Sequence, residues 1–83
     1  MTHEEMVTEF LSQNFKSGNI VELVMNDESI ITGILSDHRV NCDTTAGGEK
    51  INSRIGLIMP PKQFATPIYT EKVLKILKID GVK

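Results

Sequence analysis

Apolar side chains follow a helical period at the start of the chain. They recur every three or four residues and so share one stripe of a helix: Met6, Val7, Phe10, Leu11 and Phe15. Thr2, with Glu5 three residues later, has the capping-box pattern of a helix N-terminus, and Gly18 is a plausible C-terminal stop. The pattern predicts a helix over about 3–16. Its stripe is expected to face the core, and a partner-binding helix is the alternative.

From residue 20 onward the period changes to the two-residue alternation of half-buried strands. We expect five strands, at about 20–26, 29–36, 39–45, 50–59 and 72–79. Residues 26–29 are a polar turn, and Gly47-Gly48 supplies residues that accept the positive φ angles of a hairpin. Pro60-Pro61 ends the fourth strand, because a proline pair cannot continue a ladder. Residues 60–70 are therefore predicted to form a long loop, with or without a turn of helix.

The last segment fits two periods. Its β-branched and apolar residues make a strand over about 72–79, which would close the sheet. Val73, Ile76 and Leu77 also fit a helix that begins at Thr70. We favour the strand.

The chain of 83 residues is predicted to be one small domain, 1–83, with a marginal core. It has only three Phe, one Tyr and no Trp, so aliphatic residues must supply most of that core. Small domains of this kind often gain stability by association, which favours a homo-oligomer. The predicted core comprises Phe10, Leu11, Val21, Leu23, Ile31, Leu35, Ile55 and Leu57.

The composition also limits the cellular compartment and the kinds of chemistry that we expect. The lone Cys42 excludes an internal disulfide and fits a reducing compartment. The N-terminus is acidic where a signal peptide is basic, and no apolar run reaches transmembrane length, so a cytoplasmic protein with no membrane partner is expected. Two histidines and one cysteine do not make a metal-ligand set, and no phosphate-binding glycine loop is present. We expect no catalytic residues, no metal, no cofactor and no enzyme activity.

The stretch Val21–Asn41 is the most informative part of the sequence. Two amphipathic strands flank a tight polar turn, Gly33 interrupts the second strand, and Asp37 and Asn41 form an Asp-x-x-x-Asn corner after it. A glycine inside a strand indicates a sharp bend or a close backbone approach, which a small barrel needs in order to close. This combination resembles the first signature motif of the Sm/LSm family, which includes the Hfq-like proteins.

The resemblance implies a mainly β fold, a small five-stranded SH3-like or Sm-like barrel with an N-terminal α-helix. It also implies a homo-oligomeric ring that binds single-stranded RNA. By the same resemblance, the candidate RNA-binding residues are Asp37 and Asn41 at the base edge, Arg39 at the stacking position, and His38 beside it. The Arg-Gly loop of the family's second motif is missing from this sequence, and the segment before the last strand is longer than the family's connection.

Charge is distributed unequally along the chain. Residues 1–37 hold one base and seven acids, for a net charge of −6, whereas residues 38–83 hold eight bases and four acids, for +4. Lys72 and Lys75 in the basic half are candidate phosphate contacts, or else solvated lysines that protect an edge strand. Asp37 and Asn41 also fit an ordinary turn, with Arg39 on its surface. A protein-interaction or assembly module without nucleic-acid binding therefore stays open as the alternative function.

Overall fold

The computed structural model describes residues 1–79, so residues 80–83 of the expected domain lie outside the described part. The helix α1 spans His3–Ser12, and a 3₁₀ turn spans Thr70–Lys72. The strands are β1 Ile20–Met25, β2 Ile30–Leu35, β3 Asn41–Thr44, β4 Lys50–Ile58, β5 Ala65–Tyr69 and β6 Val73–Lys78. The final segment is therefore a strand, as favoured, and the helical alternative from Thr70 is reduced to a single 3₁₀ turn.

The capping box predicted for α1 is present. Thr2 Oγ1 accepts a hydrogen bond from the backbone N–H of Glu5, and the Glu5 carboxylate accepts one from the N–H of Thr2. The C-terminus is earlier than predicted, because Asn14 adopts a left-handed conformation with φ +56°. The N–H of Phe15 then bonds the carbonyl of Phe10 and the two rings meet edge to face, as in a Schellman ending. Gly18 is not the stop.

The sheet corrects the expected five-stranded barrel. Six antiparallel strands form a sheet with the path β3-β4-β2-β1-β6, and β5 pairs with the other side of β4. Among the described residues, β5 pairs only with β4 and β6 pairs only with β1, so the sheet is open rather than a closed barrel. The helix packs on one face of this sheet, which we call the inner face, and the opposite face is the outer face.

The strand that the sequence did not predict is β5. It lies within the segment expected to be a loop, where Pro67 argues against a ladder. Pro67 is opposite Gly56 of β4, and within residues 1–79 β5 has a partner strand on one side only. A proline is tolerated on such an edge strand, since its missing N–H removes no bond from the free side. The connecting loop is therefore short, covering only residues 59–64.

The core lies between α1 and the inner face. Six of the eight predicted core residues are buried, but Ile31 is only partly buried, and Leu11 is 77% exposed because it points away from the sheet. Met6 and Phe15 of the predicted apolar stripe are buried as well, and three further core members were not predicted, namely Ile68, Val73 and Ile76. Gly33 has the expected role of close approach: a Cβ there would lie 2.7 Å from Leu57 Cγ and 2.9 Å from the carbonyl oxygen of Ile58. The pairing of β2 with β4 begins at the next residue, Ile34.

Candidate nucleic-acid interface

A row of polar and aromatic side chains crosses the outer face of the sheet. Asn41 of β3 is directly opposite Arg54 of β4, which is opposite Tyr69 of β5. Directly opposite residues of antiparallel strands project from the same face, with Cβ atoms about 4.5–5.5 Å apart. An amide, a guanidinium and a phenol therefore stand side by side on the exposed side of the sheet.

A depression of about 230 Å³ lies next to this row. Small or flat residues line its floor, and polar side chains stand at its rim: Ser36, Asp37, Asn41, Arg54, Ile55, Gly56, Ala65 and Pro67. Gly56 lets the Ser36 side chain and Ala65 lie close to β4, since a Cβ at Gly56 would clash with the Ser36 hydroxyl and lie 3.4 Å from Ala65 Cβ. The depression is open, shallow and bordered by hydrogen-bonding groups, which suits a planar polar ligand.

Arg54 is held in place from the β3 side. Its Nη1 donates to Asp43 Oδ1 at 3.3 Å and to the carbonyl of Asn52 at 2.8 Å. Asp43 also accepts from the Asn52 amide at 3.0 Å. The Asn52 hydrogen bond, and next the positive charge of Arg54, lower the pKa of Asp43 below its usual value. The carboxylate therefore stays ionised at neutral pH and orients the guanidinium.

The residues predicted for the corner occupy the connection between β2 and β3. Strands β2 and β3 both pair with β4. Asp37 to Val40 lie between β2 and β3 and form the bend that connects them. Asp37 and Asn41 both line the depression, and His38 Nδ1 is 3.2 Å from Asp37 Oδ1. Arg39 is exposed at the crest of the bend.

The predicted lysines lie elsewhere. Lys72 ends the 3₁₀ turn and lines a separate groove beside the β1–β2 turn, together with Met25, Asn26 and Asp27. Lys75 is on β6, opposite Val24, and strands β1 and β2 separate β6 from β4 along the sheet. Neither lysine lines the depression, so the structure does not bring them to the corner.

Arg54 and Tyr69 are the residues that the sequence analysis did not assign to the site. Arg54 was an unassigned residue of a strand, and Tyr69 was in the predicted loop. Their place beside Asn41 follows only from the register of β3 and β5 on β4. Long-range register of this kind carries no local sequence signal.

A separate cleft lies on another side of the molecule. It measures about 610 Å³ and lies between the start of α1, the start of β4 and the 3₁₀ turn. His3 Nδ1 is 2.8 Å from Ser53 Oγ within it. Glu4 and Glu71 line this cleft beside Lys50, so carboxylates offset its one lysine.

The chain resembles one solved structure in its fold. XC5848 from Xanthomonas campestris, described as adopting a novel variant of the Sm-like motif, superposes with a TM-score of 0.61 and 14% sequence identity. The match covers 94% of this chain and 82% of that one. No family model matches the sequence, and no curated protein does. The likeness identifies the fold as Sm-like.

Two further structural observations concern only the part of the chain that the structure describes. No helix in residues 1–79 is both long and apolar enough to cross a membrane. Within the same residues, no three side chains of His, Cys, Asp or Glu are grouped so that they could hold a metal ion.

Proposed function

We propose that this protein binds single-stranded RNA on the outer face of its sheet and acts as a homo-oligomeric, Sm-like ring. One observation carries the proposal: Asp37, Asn41 and Arg54 meet at a depression that Gly56, Ala65 and Pro67 also line. An unpaired base needs a flat place to rest and hydrogen-bonding groups at its edge. The depression supplies both.

Stacking groups flank the depression on two sides. Tyr69 is 40% exposed at the end of the Asn41–Arg54–Tyr69 row, and Arg39 is exposed on the bend. Aromatic rings and guanidinium planes both stack on bases, and arginine also neutralises phosphate. Arg39 and Arg54 bring positive charge beside the depression, where Asp37 and Asp43 are the neighbouring carboxylates. Five of the seven acidic residues in residues 1–37 lie on α1 and in the β1–β2 turn.

Self-association is the second part of the proposal. Strands β5 and β6 each have a partner on one side only among the described residues, so each presents backbone groups that a neighbouring copy can pair with. Leu74 on β6 is 62% exposed, which adds apolar area to that edge. Pairing β5 of one copy with β6 of the next extends the sheet in its own plane. The outer face then stays open in every subunit.

Titration with short U-rich and A-rich single strands at several salt concentrations tests RNA binding. Arg39→Ala removes a planar group and a charge, and a lost stacked base typically costs about 1–3 kcal/mol. Lys75→Ala is the matched control, because it removes one charge far from the depression and should change the binding of a short strand much less. Equal small losses for both variants would contradict a stacking role for Arg39. No binding by the wild type at low salt would contradict RNA binding altogether.

A mass measurement in solution tests the ring. We expect a closed oligomer of several subunits at micromolar concentration. A monomer at every concentration would contradict this part of the proposal.

A protein-interaction module is the second candidate function, and one feature favours it. An apolar row crosses four strands of the outer face, from Ile20 through Ile34 and Ile58 to Ala65. The net charge of the chain is also −2 rather than strongly positive. If RNA does not bind, the same face is the expected site for a protein partner.

A further inference from the structure

We infer that bound RNA continues from the depression along the β4–β5 hairpin to its tip, where Phe64 stacks on a base and Lys62 contacts phosphate. This inference rests on the proposed RNA-binding function and extends it to residues that the Sm-like corner does not include. The last pair of the hairpin is Ile58 with Ala65, and residues 59–64 form the tip.

Phe64 is unusual among the phenylalanines of this chain. Phe10 and Phe15 are buried in the core, whereas Phe64 is 65% exposed. A large aromatic ring left in water at a loop tip makes no contribution to the core, and exposed apolar groups of this kind often mark binding sites. Lys62 Nζ lies 5.9 Å from the centre of the Phe64 ring, so a cation accompanies the aromatic group.

The tip and the depression lie along the same ribbon. Arg54, Gly56 and Ile58 of β4 are opposite Tyr69, Pro67 and Ala65 of β5, and these pairs make up the outer face of the hairpin. Tyr69 and Phe64 are five positions apart, which is about 17 Å of extended chain. At about 3.4 Å per base, a stacked single strand over that distance holds about five bases, and a more extended strand holds fewer. Between the two aromatic residues, the outer face of the hairpin carries Gly56, Pro67, Ala65 and Ile58, none of which is charged.

Charge favours a nucleic acid as the occupant of this path. The segment 59–70 contains Lys62 and no aspartate or glutamate. A phosphate backbone that follows β5 toward the tip therefore meets no carboxylate of that segment and reaches a lysine at its end. An aromatic ring beside a cation matches the pairing of base and phosphate in each nucleotide.

A tryptophan introduced at the tip tests the inference directly. The chain has no natural tryptophan, so Phe64→Trp provides a single indole whose fluorescence is quenched when a base stacks on it. The probes are oligouridylate and oligoadenylate of about three and about eight nucleotides, and the fluorescence of the single tyrosine, Tyr69, reports occupation of the depression. We expect the longer strands to quench the introduced indole and the shorter strands to act mainly on Tyr69. Leu11→Trp, on the helix of the inner face, is the matched control and should not respond.

Two further variants measure the effect on affinity. Phe64→Ala should weaken binding of the longer strands by about fivefold to a hundredfold and leave the shorter strands unchanged, as expected for one lost stacked base. Lys62→Ala should reduce the slope of log binding constant against log salt concentration by the amount expected for about one phosphate contact. Both side chains are exposed, so both variants are expected to fold, and a circular-dichroism melt checks this.

The outcomes separate this inference from the proposed function. If the wild type binds the longer strands but Phe64→Ala binds them equally well and the introduced indole stays silent, the path to the tip is wrong while RNA binding at the depression stands. If the wild type binds no strand at low salt, the proposed function fails and the inference with it. If the indole responds to protein concentration without RNA, the tip contacts another copy of the chain and the inference is overturned.

Discussion

The two faces of the β4–β5 hairpin have opposite physical character. On the inner face, Ile55 and Leu57 are fully buried, and Ile68 is nearly so. On the outer face, Arg54 is opposite Tyr69, and Arg54 lines the depression together with Gly56. These residues alternate along the same two strands, because successive side chains of a strand point to opposite faces.

This difference separates stability from recognition within a single hairpin. Truncating an inner residue removes packed apolar volume and so lowers the free energy of unfolding. Changing an outer residue alters exposed groups that make few core contacts, and such substitutions usually change stability little. Variants of inner residues should therefore change stability, and variants of outer residues should change recognition, although the two kinds lie one position apart in the sequence.

The largest effect is expected at Leu57. Leu57→Ala leaves a cavity beside Leu35 and Gly33, and it should lower the free energy of unfolding by about 2–5 kcal/mol. Ile58→Ala is the control on the outer face and should cost clearly less, since Ile58 is only half-buried. Urea denaturation followed by circular dichroism measures both. Equal losses would mean that the two faces have been assigned wrongly.

The two close-packed glycines give a sharper comparison. Gly33→Ala brings a Cβ against the backbone carbonyl of Ile58, which cannot move without disturbing the pairing of β2 and β4, so a loss of about 1–3 kcal/mol is expected. Gly56→Ala brings a Cβ against the Ser36 hydroxyl, which can rotate away, so stability should stay within about 1 kcal/mol of the wild type. The new methyl group should instead fill the depression and weaken RNA binding.

Denaturation and RNA titration of both glycine variants check this pair. Ser36→Ala combined with Gly56→Ala is a useful control, because it removes the crowded hydroxyl and leaves the depression filled. The double variant should be as stable as the wild type and still bind RNA weakly. Full RNA binding by a stable Gly56→Ala protein would mean that the depression is not part of the RNA-binding site.

A smaller effect is expected in the dependence of stability on pH, below neutral pH. The pKa of Asp43 is lowered by the Asn52 hydrogen bond and by Arg54, so the folded protein holds this carboxylate ionised more strongly than the unfolded chain does. Its contribution to stability is therefore fully present above the ordinary carboxyl pKa of about 3.9, and it is lost as the pH falls through the lower pKa of the folded state.

Asp43→Asn should accordingly remove a stabilisation that is seen at neutral pH and absent in strong acid. Denaturation at pH 7 and near pH 2 measures the difference in free energy of unfolding between the wild type and the variant. This difference should be smaller at the lower pH. Asp27→Asn provides a second variant of the same kind, because hydrogen bonds from Ser29 lower the pKa of Asp27 in the β1–β2 turn. A difference at Asp43 that becomes larger in acid would contradict the assigned role.

Much of the fold could be predicted because its signals are local. The capping box of α1 and the alternation of β1 and β2 each depend on a few neighbouring residues. A single glycine within β2 marks the close approach of Gly33 to Leu57 and Ile58. The early end of α1 and the strand β5 could not be predicted in the same way. Asn14 takes a conformation that glycine usually supplies, and Pro67 is acceptable only because β5 is an edge strand.

The candidate site was only half visible in the sequence for a related reason. Asp37 and Asn41 belong to one short motif, and both do line the depression. Arg54 and Tyr69 join them through the pairing of three strands, which depends on long-range register. The lysines at 72 and 75 looked suitable from charge alone, yet the topology places them on other parts of the sheet.

Amide chemical shifts of the labelled protein, recorded while a short single-stranded RNA is added, test the central claim most directly. The account predicts that the shifting signals belong to the bend at 36–41 and the β4–β5 hairpin around Arg54, Gly56 and Tyr69, with α1 unaffected. Shifts confined to the cleft at the start of α1 or to the β1–β2 turn, or no shifts at all, would contradict it.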